Sequence, residues 1–271
     1  MTEIQTTMDI FKLLDKSNCR KCGEKTCLAF AAAVFQNRKN LSECPKLNGE
    51  TISKVSFHTE NRNVADQNRE EIFSKLKKEI QEADLEERAR IIGASYKEGR
   101  LTLKILGKDF SVDEQGNIFT QIHVNLWVTI PFFQYVLKGQ GIDPAGEWIS
   151  FRELDEGMQR YNFFQKQCEE PLKRVADIYP DLFDDMIHVL GGKAVEEKYQ
   201  SDISVVLHPL PKLPIMVCYW KPEQELASSI GIYFDRTANR NLDTGSIFSL
   251  SSGLAMMFKK FAIRHGHVIG F

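Results

Sequence analysis

The spacing of apolar residues changes several times along the chain and predicts a mixture of helices and strands. Apolar positions three and four residues apart predict helices, whereas alternating or short continuous apolar runs predict strands. Helical spacing is found in TTMDIFKLLD, CLAFAAAVFQNRK, residues 68–82, LEERARIIGASY, HVNLWVTIPFFQYVLKG, residues 158–190 and residues 246–264. Strand patterns are found in RLTLKILGKDFSVDEQGNIFT, GEWISFREL, DISVVLH, PIMVCYW and SIGIYFD.

These elements predict an α+β fold in two parts. Residues 1–48 contain two short helices and a polar, cysteine-bearing loop, so we expect a small loop-and-helix module there. Residues 49–67 are polar and weakly patterned, and we interpret them as a linker. Residues 68–271 then form an α+β domain whose strands, separated by glycine- and proline-bearing turns, predict a mainly antiparallel sheet.

Composition and charge narrow the class of protein further. The 271 residues are 42% hydrophobic and 27% charged, which is typical of a globular chain, and the net charge of −2 gives no general affinity for nucleic acid or anionic membranes. No apolar run reaches the roughly 18–20 residues of a membrane span. The first residues, MTEIQTTMDIF, lack the pattern of a signal peptide. We therefore expect a cytoplasmic protein.

Four of the six cysteines crowd into one short stretch with the spacing C-x2-C-x4-C-x16-C, at Cys19, Cys22, Cys27 and Cys44. Four soft thiolate ligands suit a 4Fe–4S cluster. The close pair can hold two corners from one loop, and the sixteen residues before the last cysteine allow a helix and a return turn. We therefore predict that these four residues are the metal ligands and bind this cofactor.

The neighbours of the cysteines fit an anionic cluster. Cys27 begins a predicted helix, where the positive end of the helix dipole favours a thiolate. Arg20, Lys21 and Lys25 offset part of the negative charge, and Gly23 allows backbone N–H groups to approach the sulfur atoms.

Zinc binding and disulfide formation are the other roles open to these cysteines. Zinc also accepts four thiolates, but structural zinc sites usually show two similar short knuckles, and here the last cysteine stands alone. A disulfide framework is disfavoured in a reducing compartment. The two remaining cysteines, Cys168 and Cys218, lie in apolar surroundings; we expect Cys218 to pack in a core strand, and acids near Cys168 to raise the pKa of its thiol.

The stretch NCRKCGEKTCLAFAAAVFQNRKNLSECP resembles the cluster domain of the corrinoid iron–sulfur protein large subunit, and a similar module of the Rnf electron-transport complex. The resemblance covers about 40 residues and matches all four cysteines and Pro45. It implies a low-potential electron donor that restores cobalt(II) to cobalt(I) in a corrinoid protein. The rest of the chain has no recognisable corrinoid-binding barrel. It is similar, through GEWISFREL and YFDRTANRNLD, to an uncharacterised domain found beside this module in anaerobes.

Few residues of the second part are candidates for chemistry. Asp235, at the end of a predicted strand, is either a ligand contact or a cap or turn residue. Trp148, Phe151 and Arg152 either line a pocket or belong to the core. No Walker motif, GxGxxG or GxSxG is present, so nucleotide-binding and hydrolase readings lack support.

The leading hypothesis is an iron–sulfur protein that transfers single electrons, or serves as a redox accessory, to a partner protein such as a corrinoid-dependent or other anaerobic enzyme. A second hypothesis is a ligand-binding or redox-sensing protein whose cluster is structural or sensory, with a small-molecule ligand in the α+β domain. A third is an enzyme whose active site lies in the α+β domain.

Overall fold

A computed structural model describes residues 2–4, 7–35, 39–53, 55–57, 60–122, 124–179, 181–195, 201–223 and 226–265. The chain divides into two compact units, Met1–Asn68 and Arg69–Phe271. Each is described by itself below. In the described residues no helix is long and apolar enough to cross a membrane.

The first unit is built from short elements around a small apolar cluster. They are β1 (Thr2–Ile4), α1 (Thr7–Leu13), α2 (Cys27–Phe35), a 3-10 turn (Leu41–Glu43), α3 (Gly49–Ser53), β2 (Val55–Phe57) and the beginning of α4 (Glu60–Glu82). Strands β1 and β2 pair in parallel, with Thr2 opposite Val55 and Ile4 opposite Phe57. The apolar faces of α1 and α2 meet in one buried cluster that includes Ile10 and Phe30.

The second unit contains two antiparallel sheets and several helices. After most of α4 its elements are α5 (Leu85–Ile92), β3 (Ser95–Lys97), β4 (Arg100–Ile105), β5 (Lys108–Asp113), β6 (Ile118–Thr120), α6 (Leu126–Lys138), β7 (Trp148–Ser150), α7 (Gly157–Phe164), α8 (Glu170–Ile178), α9 (Leu182–His188), β8 (Lys193–Ala194), β9 (Ile203–Leu210), β10 (Leu213–Trp220), β11 (Ser229–Asp235), α10 (Ala238–Asn241) and α11 (Thr244–Arg264).

The smaller sheet is a meander in the order β3-β4-β5-β6. Gly107, at φ +76°, closes the turn between β4 and β5, a backbone conformation that favours glycine. Leu101, Leu103 and Ile105 alternate along β4 and are all buried, so one face of this sheet joins the main core.

The larger sheet has the order β7-β11-β10-β9-β8, and every neighbouring pair is antiparallel. Ile215 and Val217 of β10 point into the main core, whereas Met216 and Cys218 lie in a second, smaller apolar cluster. This alternation follows from the two-residue period of a strand. It explains why β10 is apolar throughout, since both of its faces are covered.

One helical rod runs from Gly157 to Ile178, because α7, a π-helical segment (Gln165–Glu169) and α8 follow one another with helical backbone angles at both junctions. Phe164, at the end of α7, stacks on Phe151 with ring centroids 4.0 Å apart. The wider π turn changes the phase between the two α-helical parts.

The expected α+β class is confirmed, as is the mainly antiparallel sheet of the second part. Helix α6 runs through Pro131 and is largely buried, as its apolar sequence predicted. Two regions differ from expectation. Residues 49–67, expected to be a linker, contain α3, β2 and the first two turns of α4. The π segment was not anticipated.

Candidate metal centre

The loop between α1 and α2 has an unusual backbone. Lys16, Asn18 and Arg20 have φ angles of 58°, 49° and 61°, and Gly23 follows with +83°. Left-handed residues are uncommon outside glycine, and four of them between Lys16 and Gly23 make this loop turn sharply. Turns whose consecutive backbone N–H groups face one side are a common site for anions, including iron–sulfur clusters.

Cys27 is the first residue of α2, as its sequence context predicted. Its backbone N–H donates to Asn18 Oδ1 at 2.7 Å, and the hydroxyl of Thr26 accepts from the N–H of Ala29 at 3.0 Å. These two side chains satisfy N–H groups that a helix start leaves unpaired. The positive end of the helix dipole therefore lies at Cys27, where a bound anionic group would be stabilised.

Cys44 follows the 3-10 turn directly. The carboxylate of Glu43 accepts from the Asn40 N–H at 2.8 Å, and the Cys44 N–H donates to the Leu41 carbonyl at 3.1 Å. Cys44 and Cys27 are 6% and 7% exposed and belong to the same apolar cluster, against which Cys22 also packs. The third and fourth cysteines of the motif therefore belong to one small core.

Two lysines join the segment around Cys44 to the first loop. Lys39 Nζ donates to the Cys22 carbonyl at 2.6 Å and to Glu43 Oε2 at 3.3 Å. Lys46 Nζ lies 2.5 Å from Asp15 Oδ2 and 2.9 Å from Ser17 Oγ. Sequence reasoning missed both residues, because a lysine that bridges two backbone segments has the same local pattern as one on a solvated surface.

Cys19 lies in the same loop and is half-buried. A hydrogen bond from the Lys21 backbone N–H is the main cause that lowers the pKa of its thiol below the ordinary value. The Ser17 hydroxyl and the Lys46 ammonium act in the same direction, while burial and the Asp15 carboxylate oppose them. A lowered pKa favours the thiolate, which is the form that ligates metal.

The donor set suits iron–sulfur chemistry, although the ligand set itself stays a prediction. All four cysteines are free thiols, so none is consumed in a disulfide. Across the part of the chain that the structure describes, no group of three or more His, Cys, Asp or Glu side chains is arranged to hold a metal ion. What the structure shows is that the segments carrying Cys22, Cys27 and Cys44 all contact one apolar cluster.

The two cysteines of the second unit are core residues. Cys218 is fully buried in β10, with its sulfur 3.5 Å from Ser204 Oγ. Cys168 is also fully buried, and burial, followed by the charge of Glu169, raises the pKa of its thiol. The expected core position of Cys218 is confirmed, whereas the pKa of Cys168 is raised chiefly by burial and only secondarily by the acid that the sequence pointed to.

Asp235 is a turn residue. Its two carboxylate oxygens accept from the N–H groups of Ala145 at 3.0 Å, Gly146 at 2.7 Å and Thr237 at 3.0 Å, and from the Thr237 hydroxyl at 2.7 Å. Burial by itself would raise the pKa of Asp235, but these hydrogen bonds outweigh it and hold the pKa below the ordinary value. The carboxylate organises the chain before β7 and after β11.

Trp148, Phe151 and Arg152 do not share one environment. Phe151 is fully buried in the main core, Trp148 packs in the smaller cluster beside β10, and Arg152 lies over the Tyr161 ring with its guanidinium carbon 5.1 Å from the ring centroid. Of the two alternatives, pocket or core, membership of the core is therefore correct for Phe151.

Comparison with known proteins identifies the first unit. A family model described as "Putative Fe-S cluster" matches residues 14–46, which include all four cysteines. Acetyl-CoA decarbonylase/synthase complex subunit gamma is 42% identical over 50 residues in Methanothermobacter thermautotrophicus and 43% identical over 49 residues in Methanocaldococcus jannaschii. The corrinoid/iron-sulfur protein large subunit of Moorella thermoacetica is 45% identical over 40 residues.

These similarities are confined to a small part of each protein. They cover 18%, 18% and 15% of this chain, and 11%, 10% and 9% of the respective relatives. The chain therefore spans about a tenth of the length of the curated relatives that it matches. The comparison with solved structures found no significant match.

Fold and site together define an α+β protein with an iron–sulfur cluster domain near its amino end. A second family model, described as "Domain of unknown function (DUF3786)", matches residues 84–257, which is well over half of the chain. The chain belongs to this family.

Proposed function

We propose that the protein binds one 4Fe–4S cluster through Cys19, Cys22, Cys27 and Cys44 and uses it to transfer single electrons to a partner enzyme. The observation that supports this proposal is that Cys27 and Cys44 belong to one small apolar cluster and that Cys22 packs against the same cluster. An apolar shell with hydrogen-bond donors near the sulfur atoms is the environment that tunes such a cluster.

When bound, the cluster supplies a one-electron couple. The residues of this chain hold and orient it. Asn18 positions Cys27 through the 2.7 Å hydrogen bond to its N–H, and Lys39 positions the carbonyl of Cys22. The Lys21 N–H stabilises the thiolate of Cys19.

We propose an anaerobic, cytoplasmic redox system as the setting. The cluster domains of the matched relatives belong to an acetyl-CoA decarbonylase/synthase subunit and a corrinoid/iron-sulfur protein. A corrinoid-dependent enzyme is therefore the partner class that the relatives support, with this chain as its electron donor. The unit formed by Arg69–Phe271 would contact that partner or bind a small ligand.

The test is reconstitution without oxygen. We expect about four iron and four sulfide per chain, a broad visible absorbance that bleaches on reduction, and an electron paramagnetic resonance signal of the reduced cluster. Cys218→Ala is the matched control, since it removes a cysteine of the other unit and should leave the iron content unchanged. One zinc per chain with no iron would contradict the proposal.

A second candidate, redox sensing, is favoured by one observation. Cys19 and Cys22 are half-exposed, so oxidants in solution can reach them. A potentiometric titration separates the two functions. A couple that is reversible over repeated cycles supports electron transfer, whereas a cluster that loses iron at its first oxidation supports sensing.

A further inference from the structure

Charges in the described part of residues 7–48 fall into two groups. The carboxylates of Asp9, Asp15 and Glu43 are each within 3.3 Å of a lysine amine, those of Lys12, Lys46 and Lys39 respectively. A second set of cations has no carboxylate within ion-pair distance among the described residues. This set, which we name the basic loop, consists of Lys16, Arg20, Lys21 and Lys25.

The side chains of the basic loop are all exposed. Glu24 is the single acid between its first and last members, so the loop carries a local excess of positive charge on a chain whose net charge is −2. Lys16 and Arg20 both have left-handed backbone and exposed side chains, and the Lys16 ammonium lies 5.5 Å from the centroid of the Phe11 ring, while Cys22 packs on the apolar cluster.

Covalent connectivity keeps this charge next to the predicted ligands. Arg20 and Lys21 lie between Cys19 and Cys22, and Lys25 lies two residues before Cys27. Consecutive Cα atoms are about 3.8 Å apart, so each of these three residues begins within about 8 Å of a cysteine backbone. With the proposed ligand set, these cations therefore lie beside the cluster along the chain.

We propose that the basic loop is the docking surface for a redox partner and that the partner presents an acidic face to it. This inference rests on the proposed electron transfer and adds the chemistry of the partner. Exposed charges of one sign raise the association rate with an oppositely charged surface by 10- to about 1,000-fold, and salt weakens the effect.

Small metal complexes of opposite charge test the surface without knowledge of the partner. Reduced holoprotein is mixed with tris(oxalato)cobaltate(III), an anion, or with hexaamminecobalt(III), a cation, each of which takes one electron and becomes cobalt(II). We expect the rate constant for the anion to fall about tenfold or more between 0.02 M and 0.3 M ionic strength. The rate constant for the cation should rise. The two probes differ in driving force, so we compare how steeply each rate constant changes with ionic strength and not the rate constants themselves.

Two triple variants with the same change in net charge isolate the location of the effect. Arg20→Gln/Lys21→Gln/Lys25→Gln should flatten the salt dependence for the anionic probe. Lys97→Gln/Lys108→Gln/Lys138→Gln changes three exposed lysines of the second unit and should behave as the wild type. The midpoint potential of each variant is measured as well, so that a shift in driving force is not mistaken for docking.

A second readout does not depend on electron transfer. At pH 7 a sulfonate cation-exchange matrix should retain the wild type and the control triple through the local charge, and the basic-loop triple should elute earlier. Equal elution of the two triples, or equal salt dependence for both cobalt complexes with a reversible cluster present, would overturn the inference. Specific retention by duplex DNA would reassign the loop to nucleic acid. A chain that binds no iron contradicts the proposed function, yet the elution order still tests the surface.

Discussion

The two units differ sharply in what holds them together. The described core of the first consists of eight buried residues, two of which are the predicted ligands Cys27 and Cys44. The described main core of the second consists of 41 buried residues. A unit with so small a core as the first rarely folds stably without a metal or a crosslink. We therefore expect the first unit to depend on its cluster for stability and the second to fold without it.

Removing a ligand should give the largest effect and should be confined to the first unit. Cys44→Ser is expected to abolish iron binding and to make residues 7–53 sensitive to protease, because metal binding and folding are coupled. Iron per chain and limited proteolysis measure this. The urea transition of the second unit should remain in place. Retention of iron at the wild-type level would show that Cys44 is not a ligand.

Truncating an aromatic side chain in the second unit should give the converse result. Phe164 is fully buried and stacked on Phe151, so Phe164→Ala should lower the free energy of unfolding by about 3–5 kcal/mol. Urea denaturation measures the loss, while iron per chain should not change. The adjacent Phe163 is 64% exposed, and Phe163→Ala is the control, expected within about 0.5 kcal/mol of wild type. Equal effects of the two variants would contradict the assigned packing.

Asp235→Asn should cost about 1–3 kcal/mol at pH 7, because an amide cannot accept as many hydrogen bonds as the carboxylate. The pKa of Asp235 in the folded protein lies below its ordinary value of 3.8. Its stabilising contribution is therefore complete above pH 3.8 and is lost as the pH falls through the folded pKa. The difference between variant and wild type should narrow below about pH 4.

Denaturation curves at pH 3.5, 5 and 7 test this dependence on pH. Asp184→Asn, at an exposed position of α9, is the control and should show no comparable loss. A difference that stays constant over this range would contradict the role of the ionised Asp235 carboxylate.

Glu169→Gln should have a smaller effect with the opposite sign. Burial raises the pKa of Glu169 to about 7, and the hydrogen bond from the Ile232 N–H, at 3.2 Å, and the charge of Arg152 only partly oppose it. Because the folded pKa lies above the ordinary value of 4.5, stability falls as the pH rises from about 4.5 to 7. The glutamine keeps a carbonyl acceptor for Ile232 and avoids a buried charge.

At pH 8 we therefore expect Glu169→Gln to be more stable than the wild type by about 1–2 kcal/mol, with little difference at pH 4. Glu170→Gln changes the exposed neighbour and is the matched control. A destabilised Glu169→Gln protein at pH 8 would show that the carboxylate is needed in its charged form.

The sequence predicted secondary structure best for those helices and strands that pack against other elements on one face or on both faces. The apolar runs of β9, β10 and β11 and the all-apolar α6 were predicted correctly, since burial fixes their pattern. The π segment was missed because its five residues have an ordinary helical composition and carry no local signal for a wider turn. The start of α4 at Glu60 was missed because a polar helix and a linker share one composition.

In the candidate site, too, features with a local sequence pattern were predicted and features without one were missed. Cysteine spacing and the start of α2 at Cys27 were evident from sequence. The bridges of Lys39 and Lys46 were not, because they join residues 17 and 31 positions apart, and sequence spacing carries no signal for such contacts. Likewise, no local pattern distinguishes Glu169 from the exposed Glu170.

The pairing of β1 with β2 has a consequence for how the cluster domain is used. Because the two strands run side by side in parallel, the chain leaves Phe57 next to Ile4, only one strand spacing away from the first strand. A segment whose two ends lie so close together can be inserted into another polypeptide with little disturbance to the fold of the segment or of that polypeptide.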